Sequence, residues 1–65
     1  MFDKLAVAKK AVEDANRNEK LGLTAEDLED IICEECFDYA TGPDDETRYY
    51  NWWYHGAIEA AKSMK

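Results

Sequence analysis

The sequence is poor in the residues that most chemistry requires. Its three glycines are scattered at 22, 42 and 56, which excludes a glycine-rich loop that cradles phosphate. One histidine and two cysteines fall short of the four ligands of a structural zinc site. An acid beside His55 could in principle make a general base, but no serine or cysteine nucleophile motif accompanies it, so no catalytic residue is assigned. No apolar run approaches the roughly 18–20 residues that cross a bilayer. Met1-Phe2-Asp3-Lys4 lacks the basic and apolar stretches of a signal peptide. The expected location is therefore cytoplasmic, and Cys33 and Cys36 are expected to remain structural thiols.

Length sets further bounds. A chain of 65 residues makes a single domain, here 1–65. Such a chain buries only about 60% of the surface its unfolded form exposes, which leaves little material for a deep catalytic cleft. A net charge of −7 repels bare nucleic acid and anionic membrane alike. The complementary partner is a protein with a basic surface. Neither a cofactor nor a metal is expected.

Hydrophobic spacing predicts an all-α protein, a compact three-helix bundle over about 4–20, 25–40 and 44–63. In the first helix Asp3 is the N-cap, Leu5, Ala8, Val12 and Ala15 form the apolar stripe, and Gly22 follows the end. In the second, Thr24 and Asp27 hold the capping-box positions, and Leu28, Ile31, Ile32 and Tyr39 form the core stripe with Cys36 beside it. Thr41-Gly42-Pro43 ends it. In the third, Tyr49, Trp53, Gly56, Ala57, Ala60 and Met64 share one side, with Gly56 expected to admit a neighbouring helix or to kink.

Charge is unevenly placed. Residues 24–47 hold ten acids and no lysine or arginine, whereas the flanking stretches are close to balanced. On a continuous second helix Asp27, Asp30, Glu34 and Asp38 would fall on one outer face, and Asp44, Asp45 and Glu46 would extend it around the turn. Such a face either serves solubility or imitates a phosphate backbone before a partner's cations. Tyr49-Tyr50-Asn51-Trp52-Trp53-Tyr54 crowds more aromatics than one helix face can bury. Tyr49 and Trp53 are expected in the core, whereas Trp52 and Phe37 are expected as exposed contacts.

This profile resembles the small acidic inhibitors that bacterial viruses make against host nucleic-acid machinery, the anti-restriction DNA mimics and anti-CRISPR proteins. It is a likeness of character without a shared motif. The resemblance implies a non-catalytic, phage-type inhibitor, acting in host cytoplasm. It would dock its acidic helical face and adjacent aromatics onto a basic groove of a nucleic-acid-handling protein. The expected contact residues are Asp27, Asp30, Glu34, Asp38, Asp44, Asp45, Glu46, Phe37 and Trp52. Two alternatives stay open. One is a small adaptor or regulatory subunit docking through exposed Trp, Phe and Tyr. The other is a self-associating structural protein whose homodimer covers those rings.

Overall fold

The computed structural model describes residues 2–64. Three helices form in the expected order: α1 Lys4–Asn18, α2 Ala25–Ile31 and α3 Glu46–Ser63. No strand occurs among the described residues. Each helix starts where a side chain satisfies its first free amides. Asp3 accepts from the Ala6 N–H at 3.2 Å, and Asp45 accepts from the Arg48 N–H at 3.0 Å. Thr24 and Asp27 exchange both bonds of a capping box at 3.1 Å, so the shorter aspartate reaches as well as the usual glutamate.

The core lies between α1 and α3. Ala8, Ala11, Val12 and Ala15 of α1 face Tyr49, Ala57 and Ala61 of α3, all buried. Alanines along the seam bring the helices together, and Tyr49 fills the wider gap at the start of α3. The chain before α3 closes over that ring. Gly42 adopts φ 99°, and a Cβ there would stand 2.6 Å from Tyr49 Cε1, so only glycine fits. The buried line of α3 runs at four-residue steps through Tyr49, the half-buried Trp53, Ala57 and Ala61. Gly56, Ala60 and Met64, expected on that side, form the neighbouring row outside the core. A Cβ on Gly56 would meet nothing within 4 Å, so no helix of this chain approaches it.

Helix α1 stops at Asn18, slightly before the expected end. The Leu21 N–H donates to the Asn16 carbonyl at 3.1 Å, with Lys20 in the left-handed region at φ 52°. This is the closing bond of a Schellman end, built on lysine where glycine is usual. The Asn16 amide then grips the link to α2, accepting from the Leu23 N–H at 2.8 Å and donating to its carbonyl at 3.0 Å.

The second helix departs most from expectation. It ends at Ile31 and does not continue to residue 40. Ile32 turns to extended angles, φ −120° and ψ 102°, and enters the core at 5% exposure. A helix to residue 40 would stack carboxylates at steps of three and four with no cation on the helix to relieve them. The irregular path relieves them instead. It lets Glu34 reach Lys9 of α1, puts the Tyr39 carbonyl 2.7 Å from Lys4 Nζ, and lets Asp38 close its own turn onto Ala40 N–H and Thr41 Oγ1 at 2.9 and 2.7 Å. Tyr39, expected in the core stripe, is 55% exposed, and Cys36 is exposed. Being only seven residues long, α2 depends on such tertiary ties for its existence.

Candidate partner-binding surface

The early end of α2 breaks up the anticipated carboxylate row. Asp27 and Asp30 are on α2, whereas Glu34 and Asp38 are not helical. Several of the expected contact residues have structural roles. Asp27 and Asp45 cap helices, Asp38 closes a turn, Glu34 is ion-paired with Lys9, and Asp44 stands 3.7 Å from Lys4. Asp44 is fully exposed, so its pairing is weak. Phe37 is half-buried, its ring stacked on Trp53 at 6.0 Å and meeting Tyr39 edge-on at 4.8 Å, which makes it a packing residue more than an exposed anchor. Asp30 and Glu46 have no hydrogen-bond or ion-pair partner among the described residues, and Trp52 is 46% exposed, as expected.

The fold gathers a different set of acids. An open groove of about 680 Å³ runs between α1 and the stretch from α2 into the following turn. Its floor is apolar, from Val12, Leu28 and Ile32. Its rim carries Glu13 from α1, Glu29 and Asp30 from α2, and Glu34 and Glu35 from the turn, with Lys9 as the sole basic group lining it. A greasy floor under a carboxylate rim suits a lysine or arginine side chain, which lays its aliphatic stem on apolar surface and presents its head to acids. Glu13, Glu29 and Glu35 were not among the expected contacts. Glu13 belongs to a helix of balanced charge, and Glu29 and Glu35 fall off the outer face of an unbroken second helix. The adjacency of Glu13 to the buried Val12 was the available signal.

A second groove, about 640 Å³, lies on the other side of Asp30, between Ile31 at the end of α2 and the outer row of α3. Trp52, Gly56 and Met64 line it, with Glu59 and His55 at its edge.

The tyrosines of the aromatic block use their hydroxyls to tie α3 back to α1. Tyr50 donates to Asp14, which also accepts from Arg17 Nη2 at 2.6 Å, and Tyr54 donates to Glu19 at 3.0 Å. The Tyr50 hydrogen bond, aided by Arg17, holds the Asp14 carboxyl below its ordinary range despite partial burial. The same bond pushes the Tyr50 phenol up to about 12. Burial first, then the bond to Glu19, raises Tyr54. The Thr41 hydroxyl and the Ala40 N–H hold Asp38 below its usual range.

Cys33 and Cys36 are joined as a disulfide, not the pair of thiols expected. The two residues lie in the turn after α2 with Cα atoms 5.4 Å apart, within the span a disulfide bridges. Among the described residues no group of three or more His, Cys, Asp or Glu side chains could hold a metal ion. No helix among them is long and apolar enough to cross a membrane. Compared with protein-family models, curated proteins and solved structures, the chain matches none of them.

Proposed function

We propose that this chain is a non-catalytic binding protein, an inhibitor that receives basic side chains of a nucleic-acid-handling protein in the acidic groove between α1 and the end of α2. The observation that carries the reading is the groove itself, five carboxylates set around Val12, Leu28 and Ile32 with Lys9 as the one basic residue among the described residues that line it. Acids of residues 24–47 that have no ion-pair partner among the described residues, Glu26 and Glu46 among them, add to the attractive field. The mode of action is occlusion. Carboxylates satisfy the lysines and arginines that phosphates would otherwise engage.

The test is capture from a bacterial lysate by the wild-type chain and by a Glu29→Lys, Asp30→Lys, Glu35→Lys variant. The expected result is a nucleic-acid-binding protein retained by wild type, released by added DNA and by rising salt, and lost by the variant. An identical set of captured proteins from both chains sinks the proposal.

A further inference from the structure

The disulfide between Cys33 and Cys36 encloses Glu34 and Glu35 in a short covalent loop. Those glutamates are two of the five rim acids of the groove between α1 and the end of α2, and Cys33 lines the same groove. Both cysteines are exposed, and neither belongs to the core cluster. Loop-closure stabilisation grows with the number of residues enclosed, and the paired residues are only three apart. The bond is thus a local fastening more than a staple for the whole fold.

Little else fixes this part of the chain. Ile32 anchors one end in the core, and Phe37 anchors the other on Trp53. Among the described residues, none from 33 to 37 makes a backbone–backbone hydrogen bond. Glu34 pairs with Lys9, but the two side chains are 61% and 42% exposed, and ion pairs in water hold weakly. Glu35 has no ion-pair partner among the described residues. The covalent bond is what keeps both glutamates in one place. Its exposure leaves it open to a thiol reductant. One thiolate of a dithiol attacks one Sγ, forming a mixed disulfide and releasing the other cysteine. The second thiolate then closes the reductant into a cyclic disulfide and releases the first cysteine. Two electrons and two protons pass from the dithiol to the chain, which ends with two thiols.

We propose that the Cys33–Cys36 disulfide is a redox switch on the acidic groove. Oxidised, it sets Glu34 and Glu35 on the rim, ordered before a partner arrives. Reduced, it gives the loop back its torsional freedom. Fixing the two glutamates against a basic side chain then costs conformational entropy, and the groove binds cations less tightly. The switch presupposes that this groove is where a basic partner docks.

Two measurements on the full chain, oxidised and then reduced with dithiothreitol, test it. The first is affinity for an oligoarginine peptide at physiological salt. The oxidised chain should bind about tenfold more tightly than the reduced chain, and reoxidation should restore the difference. A Cys33→Ser, Cys36→Ser variant should bind like the reduced chain and ignore the reductant. The second is backbone amide relaxation, which needs neither partner nor variant. Order parameters at Glu34 and Glu35 should fall from about 0.85 to below about 0.6 on reduction, while those of α1 and α3 hold. Equal affinity of both forms for the peptide overturns the switch and leaves the groove as the docking site. Binding by neither form overturns both readings. Order parameters at Glu34 and Glu35 that ignore reduction overturn the switch whatever the peptide does.

Discussion

The α1–α3 pair and the segment of residues 24–47 follow opposite rules. The pair is regular, near balance in charge, and carries most of the core through alanines and Tyr49. The acidic segment is mostly irregular, contributes Ile32 alone to the fully buried set, and is held down by side chains from elsewhere, Lys4 and Lys9, with Asn16 gripping Leu23 just before it. Regularity follows apolar spacing where charge permits. Where like charges dominate, the chain takes whichever path brings in counter-charges and caps, even at the expense of helical hydrogen bonds.

The sharpest way to break this contrast is Tyr49→Ala. Deleting that ring should cost about 3–5 kcal/mol, comparable to everything so small a core supplies, so the purified variant should lack a cooperative thermal transition. Retention of a wild-type melt would show that the core is elsewhere. Next is Gly42→Ala, which forces a Cβ against Tyr49 from a backbone at φ 99°. A loss of about 1–3 kcal/mol in denaturant unfolding is expected, and it would show that the acidic segment is anchored through its last turn.

Tyr50→Phe should cost about 1 kcal/mol by removing the bond to Asp14, and it should alter both ends of the pH profile. The Asp14 carboxyl is held low in the folded state. Its contribution is therefore present above the ordinary carboxylate pKa of about 4 and fades as pH falls through the folded value. The Tyr50 phenol is pushed up to about 12, so its share is complete below the free-phenol value of about 10 and fades as pH rises through the folded value. Melting temperature followed against pH should fall less steeply at both extremes in the variant. The smallest effect belongs to the acidic region. Glu26→Gln, Glu29→Gln and Glu35→Gln together should leave the melt unchanged or raise stability by a few tenths of a kcal/mol, while capture of a basic partner falls. A marked loss of stability would mean that these acids support the fold.

Helix starts were legible from the chain because their causes are local. Asp3, Thr24 with Asp27, and the acids before Glu46 each act within one turn. The stripe of α1 was legible for the same reason. The end of α2 was not, since Ile32 leaves the helix for a core made by α1 and α3, and Glu34 answers to a lysine in another element. On α3 Tyr49, Trp53 and Ala57 lie on the buried side as expected, whereas Gly56, Ala60 and Met64, at the same four-residue spacing, fall one row outside it. Only the breadth of Tyr49 and Trp53 beside α1 decides between them. The acidic groove was invisible to spacing arguments, as its rim draws on α1 and on the distant stretch from α2 into the following turn.

The ion pair between Lys9 and Glu34 gives the groove a resident cation of its own. An incoming guanidinium that takes Glu34 must evict that ammonium to water, so docking is an exchange of one cation for another. Fewer small ions are then liberated than the tally of rim acids implies, and the slope of affinity against salt should be correspondingly shallow. Replacing Lys9 by a neutral residue would steepen that slope while making the vacant acids more welcoming.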